Sequence, residues 1–151
     1  MQRSGFYIYR RKLPHWRADY VTYFVTWRLD NAQRPLTPAE RSLVKSALLN
    51  FDGQRYDLYA YVVMDDHIHT LVTPLNKEEL QTIMHSWRSF TTHALQRNHG
   101  RSGRVWQRNY FDRIVRNSRE LAEKTRYILH NPWKRWPNLE EYVWVGYRTR
   151  D

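Results

Sequence analysis

Residues 56–74 read YDLYAYVVMDDHIHTLVTP. Aromatic and β-branched side chains dominate residues 56–64 and again residues 67–74, so each stretch predicts a β-strand. Only Asp65 and Asp66 separate the two strands, which predicts a tight hairpin. This apolar hairpin is expected to lie in the middle of a buried sheet.

Upstream of the hairpin the sequence predicts a strand and then a helix. Residues 19–29, DYVTYFVTWRL, are aromatic and β-branched and alternate with period two, which is typical of a strand. Residues 37–40, TPAE, combine an N-cap threonine, a proline at the first helical position and a capping-box glutamate, so a helix begins there. Its apolar positions recur at helical spacing until residues 52–53, DG, end it.

Downstream of the hairpin the same two kinds of element recur. Asn76 is expected to cap a second helix that continues to Gly100, and a further strand is placed at residues 111–116. The predicted order is therefore β-α-β-β-α-β. This is the split arrangement of ferredoxin-like domains, so the predicted fold class is α+β.

A third helix is predicted after this ferredoxin-like core. Ser118 is expected to cap it and Pro132 to end it, because proline cannot donate a helical hydrogen bond and restricts the residue before it. Tyr127 and Asn131 stand four residues apart on this helix and therefore lie on one face. Residues 133–151 are an aromatic and charged tail to which the pattern assigns no element.

Length and charge limit the function classes. A chain of 151 residues suits one domain, and we expect a single domain at 1–151 with residues 1–18 as a basic aromatic arm and 133–151 as an attached tail. Lys and Arg number 25 against 15 Asp and Glu, a formal net charge of +10, so nucleic acid is the expected partner. The absence of cysteine, of a signal-like segment and of an apolar span favours a cytoplasmic protein without a membrane partner.

His67 and His69 are the first candidate site. Because they alternate with Ile68 on one strand, both imidazoles project from the same face and can chelate one divalent ion. The alternative is two ordinary polar residues on a half-exposed strand. With no cysteine and a phosphate substrate, the expected ion is Mg²⁺ or Mn²⁺, acting as a Lewis acid on a phosphodiester.

Tyr127 is the second candidate. Its oxygen can attack a phosphodiester once the proton is removed or shared, and because a phenol is a weak acid it needs a neighbouring metal or base. The carboxamide oxygen of Asn131 can reach the same spot. The chain has 11 tyrosines, so the alternative is a helical tyrosine with its ring in the core and its hydroxyl at the rim.

Two clusters of basic side chains are candidates for binding nucleic acid. One precedes the first strand, where rings and cations could hold unpaired bases, and the other leads to the tyrosine helix and could follow phosphates. The alternative for either cluster is a solvated basic surface. The predicted nucleic-acid-binding residues are Arg10, Arg11, Lys12, Trp16, Arg101, Arg104, Arg108, Arg113 and Arg116.

Three motifs in a fixed order carry a family resemblance. Residues 61–72, YVVMDDHIHTLV, are followed by 105–113, VWQRNYFDR, and then by 127–132, YILHNP. Together they resemble the bacterial single-tyrosine HUH transposases, and within them the REP-associated tyrosine transposases. The chain departs from the family pattern at Asp65, where relatives often carry proline.

The resemblance implies a HUH fold with a nuclease site. His67 and His69 would hold a divalent metal, with the carboxamide of Asn131 as third ligand in preference to His130. Tyr127 would be the nucleophile that forms a 5′-phosphotyrosine, releases a free 3′-OH and allows strands to be rejoined without ATP. The implied substrate is single-stranded DNA with a palindromic hairpin beside a short guide, in the cytoplasm of a bacterium and associated with the nucleoid.

The predicted function is therefore a metal-dependent endonuclease and strand transferase, a transposase, for hairpin-flanked single-stranded DNA. A domesticated host nuclease would use the same chemistry. The alternative from another class is a non-catalytic ferredoxin-like nucleic-acid-binding protein, which would carry stacking aromatics on its central strands where this chain has His67 and His69. Monomer and homodimer both remain open, as does the choice between a tyrosine that serves its own subunit and one that serves a partner.

Overall fold

Six strands and three helices make up the part of the chain that the structure, a computed structural model, describes: residues 7–9 and 20–148. The predicted arm residues Arg10, Arg11, Lys12 and Trp16 lie outside the described residues. No helix in the described ranges is long and apolar enough to cross a membrane. In chain order the elements are β1 (Tyr7–Tyr9), β2 (Thr22–Arg28), α1 (Pro38–Asn50), β3 (Tyr56–Val63), β4 (His67–Pro74), α2 (Leu80–His99), β5 (Phe111–Val115), α3 (Ser118–Arg135) and β6 (Val145–Arg148).

The strands form one sheet in the order β1-β6-β3-β4-β2-β5. Neighbouring strands are antiparallel except β1 and β6, which are parallel. From β2 to β5 the elements follow the order β-α-β-β-α-β, and β4 lies between β3 and β2 as in a split βαβ unit. The predicted α+β, ferredoxin-like class is confirmed, with α3, β6 and β1 added to it.

Alternation along the strands gives the sheet two different faces. On one face Val25 and Trp27 of β2 belong to a core that includes Trp87 of α2. On the other face Phe24 belongs to a second core that includes Ile128 of α3. Helices α1 and α2 therefore cover one face, and α3 covers the other.

A buried ion pair fastens the start of α1 to the segment after α2. Glu40 is fully buried, closes the predicted capping box with Thr37, and accepts hydrogen bonds of 2.7 and 2.8 Å from Arg101. Arg101 also donates to the carbonyls of Arg34 and Pro35. With only 5% of its surface exposed, Arg101 is an internal structural residue, which corrects its prediction as a nucleic-acid contact.

Two predicted helix caps are wrong. Asn76 has a positive φ of 52° and donates its side-chain amide to the carbonyl of Gln54, so it belongs to a turn before α2. Asn117, rather than Ser118, caps α3 by accepting a hydrogen bond of 2.9 Å from the N–H of Glu120. In both places several polar residues follow one another and each could cap a helix. Only the backbone conformation determines which of them is the N-cap.

Pro132 does not end α3, which continues to Arg135. Proline removes only its own N–H from the helix, and later residues still donate, since the N–H of Trp136 bonds to the Pro132 carbonyl at 2.8 Å. Asn131 and Pro132 are themselves buried, and Trp133 and Trp136 pack against the core on this face of the sheet. Burial of this last turn favours continuation of the helix.

Residues 133–148, the described part of the tail that the pattern left unassigned, belong to the fold. Strand β6 pairs with β3, and the hydroxyl of Tyr142 donates to the carbonyl of Val63 at 2.6 Å. Arg148 is buried and donates to Asp57 at 2.9 Å and to Asp52. These contacts join residues far apart in sequence, so a strand of four residues could not be recognised from its own composition.

Replacing Glu40 with glutamine should change the response of the protein to acid. Burial raises the pKa of Glu40, but hydrogen bonds from Arg101, Thr37 and Arg34 outweigh it and lower the pKa from 4.5 to about 2. A lowered pKa stabilises the fold above about pH 4.5, and this contribution is lost as the pH falls towards 2. In urea titrations the free energy of unfolding of wild type should fall more steeply across this range than that of Glu40→Gln, and equal slopes would contradict this role.

Candidate active site

The two histidines and the tyrosine meet on the sheet face that α3 covers. Antiparallel pairing puts Thr26 opposite His69 and Arg28 opposite His67, so these four side chains share one face. The ring centroids of His67 and His69 are 4.7 Å apart, and the ring centroid of Tyr127 lies 5.3 Å from that of His69. The structure thus brings the predicted nucleophile and the two predicted histidine ligands into one cluster.

His69 is almost fully buried, with 4% of its surface exposed. Its Nδ1 lies 2.7 Å from Oγ1 of Thr26. Burial lowers the pKa of His69 to about 3, and the neighbouring His67, Arg28 and Lys124 lower it further. The ring is therefore neutral near pH 7, which is the form that can bind a metal ion.

His67 is oriented by a carboxylate. Its Nδ1 lies 2.7 Å from Oδ1 of Asp66, and Arg135 from the last turn of α3 approaches the same oxygen at 3.6 Å. Arg135 also pairs with Asp65 at 3.1 Å, so the hairpin turn is tied to the C-terminal end of α3. Because Asp66 and Thr26 engage the Nδ1 atoms of the two histidines, the Nε2 atoms are the ones that could hold an ion.

Tyr127 is 45% exposed and borders a cleft. Its ring packs edge-on against Phe24 at 6.0 Å, and Phe24 in turn stacks on His69 at 5.4 Å, so one ring supports both functional side chains. The cleft beside them has a volume of about 640 Å³. Its other walls include Arg28, Gln107, Asn109, Tyr110, Phe111 and Lys124.

Three side chains of this site were not among the predicted site residues: Thr26, Arg28 and Lys124. Lys124 lies one turn before Tyr127 on α3, with its ammonium 4.8 Å from the centroid of Phe24. Neither Arg28 nor Lys124 pairs with a carboxylate among residues 20–148. Alternation along β2 puts Thr26 and Arg28 on one face, but only the strand order shows that it is the face of the histidines.

The two predicted candidates for a third metal ligand, Asn131 and His130, differ in burial and in contacts. No group of three or more His, Cys, Asp or Glu residues that could hold a metal occurs within residues 20–148. Asn131 lies one turn after Tyr127 and is mostly buried, whereas His130 is exposed and its Nδ1 lies 2.8 Å from the Arg126 carbonyl of its own helix. Two imidazoles and a carboxamide are a donor set that fits Mn²⁺ or Mg²⁺.

Four of the predicted nucleic-acid-binding arginines are exposed. Arg104 and Arg108 precede β5, Arg113 lies on β5, and Arg116 follows it. Arg113 is paired with Phe24 in the register, so it belongs to the face of the histidines. These positions are compatible with contacts to phosphates near the cleft.

Residues 20–131 match the family model described as Transposase IS200 like. The matched range includes β2, the histidine pair and the tyrosine helix as far as Asn131. The chain belongs to the IS200-like transposase family. Transposases cut and join DNA, so this family member is an enzyme of DNA processing.

Known transposases are similar to this one in sequence and in fold. The REP-associated tyrosine transposase of Escherichia coli (strain K12) is 24% identical over 127 residues, which are 81% of this chain and 74% of the relative. A REP-associated tyrosine transposase bound to a REP hairpin matches with a TM-score of 0.65 at 22% identity, over 82% of this chain and 74% of that one. A putative transposase from Deinococcus radiodurans R1 matches with a TM-score of 0.55 at 16% identity, over 80% of this chain and 97% of that one. The family resemblance predicted from the motifs is confirmed.

Replacing Thr26 with valine should weaken metal binding without unfolding the transposase. Valine keeps the shape of threonine but cannot form the hydrogen bond with Nδ1 of His69, so the imidazole loses the contact that orients it. Loss of such an orienting contact should lower the affinity for Mn²⁺ about 10- to 100-fold. Isothermal titration calorimetry measures this affinity directly.

Thr70→Val is the matched control. Thr70 follows His69 on β4, alternates to the other face of the sheet, and its buried Oγ1 has no hydrogen-bond partner among the described residues. The variant should bind Mn²⁺ as wild type does and be at least as stable, because no hydrogen bond is removed. Equal losses of Mn²⁺ affinity in the two variants would contradict the role of Thr26.

Proposed function

We propose that this transposase is a metal-dependent endonuclease and strand transferase for single-stranded DNA, with Tyr127 as its nucleophile. The observation that carries the proposal is a half-exposed tyrosine packed beside a histidine pair on one sheet face, at the edge of a cleft lined by Arg28 and Lys124. Membership in a transposase family supports a DNA substrate. A non-catalytic binding module would not require a buried neutral imidazole beside an exposed phenol.

The proposed step is a transesterification. The oxygen of Tyr127 forms a bond to phosphorus while the bond between phosphorus and the 3′-oxygen breaks. The phenolic proton passes to solvent, and the departing oxygen takes up a proton. The products are a 5′-phosphotyrosine and a free 3′-OH, and because one phosphoester replaces another, the reverse reaction can rejoin strands without ATP.

His67, His69 and Asn131 are the residues that would hold the divalent ion, Mg²⁺ or Mn²⁺. When bound, the ion supplies Lewis-acid stabilisation of charge on the phosphodiester. The contacts of Thr26 and Asp66 with the two Nδ1 atoms keep the imidazoles oriented before substrate arrives. This preorganisation removes the cost of arranging the site during the reaction.

Lys124 and Arg28 would bind the anionic groups of the substrate. Lys124 lies over Phe24, one turn before the tyrosine, and Arg28 lies opposite His67 on the neighbouring strand. Both line the cleft. A cation held beside the nucleophile stabilises negative charge as it develops on the phosphate, and such groups contribute most where water is excluded.

The proposed substrate is single-stranded DNA at a hairpin-flanked, REP-like site. A related transposase is bound to a REP hairpin in its own structure, and the exposed arginines of this chain suit contacts with phosphates. One domain would carry the whole activity as a monomer or a homodimer. The proposed DNA contacts are Arg104, Arg108, Arg113 and Arg116, together with Arg10, Arg11, Lys12 and Trp16 of the arm.

Incubation with a labelled single-stranded hairpin and Mn²⁺ tests the proposed chemistry. Wild type should form a protein–DNA adduct that resists SDS, and Tyr127→Phe should not, because phenylalanine lacks the attacking oxygen. His67→Ala should lose the adduct while keeping much of the arginine-driven binding, measured by fluorescence anisotropy. Tyr147→Phe, which removes a hydroxyl from β6 outside the cleft, is the control and should form the adduct.

Two results would overturn this proposal. The first is DNA binding by wild type with no adduct, which is the behaviour of a non-catalytic binding protein. The second is an adduct with Tyr127→Phe. Loss of both adduct and binding in His67→Ala would indicate folding damage, which the milder His67→Gln variant separates from loss of the ligand.

Lys124→Met should slow adduct formation at saturating DNA. Methionine keeps the stem over Phe24 but removes the charge, and loss of one group aimed at developing charge costs about 100-fold in rate. Lys134→Met, an exposed position in the last turn of α3, is the matched control and should react at the wild-type rate. Single-turnover kinetics give both rates. Equal rates for the two variants would show that the charge of Lys124 does not contribute to adduct formation.

A further inference from the structure

A second groove adjoins the cleft and lies between α2 and the segment before β5. Its walls are α2 and residues 104–109, and its volume is about 560 Å³. Gln107 and Asn109 line both the cleft and the groove, so the two depressions adjoin each other. A strand bound beside Tyr127 can therefore pass from one to the other without leaving the surface.

Among the residues that the structure describes, cations and hydroxyl groups line the groove and no carboxylate does. Arg88, Arg104 and Arg108 line it, and none of them pairs with an acid among residues 20–148. Ser89 and Thr92 add hydroxyls from α2. Unpaired cations beside hydrogen-bond donors are the chemistry that binds a phosphodiester backbone.

The wall that faces α2 is held in place before any ligand binds. Arg88 donates to the carbonyls of Gln107 at 3.1 Å and Arg108 at 3.0 Å. The N–H of Gln107 donates to the carbonyl of Arg28 at 2.9 Å, which ties this segment to the end of β2. Because the segment is already ordered, binding a ligand there does not require further ordering of its backbone.

The cleft has a second neighbouring depression of opposite character. Tyr110 lines both the cleft and this depression, which lies near the start of α2. Among the described residues that line it, Glu78, Glu79 and Asp112 are acidic and Lys77 is the one cation, and Glu78 is paired with Arg55 at 3.0 Å. Like charges repel the phosphates of a strand, so charge distinguishes the two paths away from Tyr127.

We propose that the groove between α2 and residues 104–109 binds the phosphodiester backbone of the DNA strand that the cleft holds. The inference rests on the proposed function, since it extends the path of that strand beyond Gln107 and Asn109. Arg104 and Arg108 contact phosphates from one wall, and Ser89 and Thr92 from the other. The strand avoids the acidic depression.

The test uses non-covalent binding, so that it does not depend on the chemistry at Tyr127. All variants carry Tyr127→Phe, and the probe is a labelled oligothymidylate of about 16 nucleotides, a length in the range that single-strand-binding surfaces occupy. Fluorescence anisotropy gives Kd across a salt series. Failure of wild type to form an adduct would overturn the proposed chemistry. The Kd values of the Tyr127→Phe variants could still be compared, because they do not depend on that chemistry.

Arg108→Gln and Lys77→Gln form the first pair. Each removes one positive charge, from the groove and from the acidic depression respectively. Arg108→Gln should weaken binding and reduce the slope of log Kd against log salt by about 0.7, the value for one phosphate contact on a single strand. Lys77→Gln should leave the slope unchanged. Three results would contradict binding of DNA in the groove. They are equal changes of Kd and slope in the two variants, a larger change in Lys77→Gln, and no binding of the probe by the Tyr127→Phe parent.

Thr92→Glu and Gln81→Glu form the second pair. Each adds one negative charge to α2. Thr92 lines the groove and Gln81 lines the acidic depression. Thr92→Glu should weaken binding about tenfold, because a carboxylate would face the phosphates, and Gln81→Glu should not. Circular dichroism confirms that both variants fold. Unchanged binding in a folded Thr92→Glu variant would contradict the proposal.

Discussion

The antiparallel pairing of β2 with β4 is the constraint on which the site depends. It places Thr26 opposite His69 and Arg28 opposite His67, on the face that α3 covers. A slip of one residue would turn Ile68 towards α3 and both histidines into the core under α1 and α2, because strand side chains alternate with period two. Burial of Ile68 in that core therefore fixes the register and, with it, the positions of the imidazoles.

The position of Tyr127 depends on both ends of α3. Asn117 caps the start of the helix, and Arg135 in its last turn pairs with Asp65 in the hairpin turn that leads into the histidine strand. Between these ends Ile128 packs into the core, which turns its neighbour Tyr127 to the rim of the cleft. The same contacts that stabilise the helix thus hold the phenol beside His69.

Local features could be predicted from the sequence because their signals lie within a few residues. The hairpin at 56–74, the capping box at the start of α1 and the shared face of His67 and His69 are all of this kind. The β-α-β-β-α-β order followed from them, and the motifs indicated the family before any geometry was known. The motifs also singled out Tyr127, although its contact with His69 depends on tertiary packing.

Other features depend on residues that are distant in sequence. Arg101 stands in a basic run and has the appearance of a surface arginine, and only its partner Glu40 explains its burial. The continuation of α3 past Pro132 and the strand β6 likewise depend on packing against the sheet. Thr26, Arg28 and Lys124 become site residues only once the strand order and the placement of α3 are known. The groove between α2 and residues 104–109 could not be predicted from the sequence, because its two walls come together only in the folded protein.

Identification of the DNA-linked residue tests the central claim most directly. The protein–DNA adduct formed with Mn²⁺ is digested with protease and nuclease, and the linked peptide is sequenced by mass spectrometry. A single peptide carrying a nucleotide through a 5′-phosphate on Tyr127, together with a free 3′-OH on the released strand, is the predicted result. A nucleotide on any other residue, or cut DNA with no linked peptide, would contradict the account.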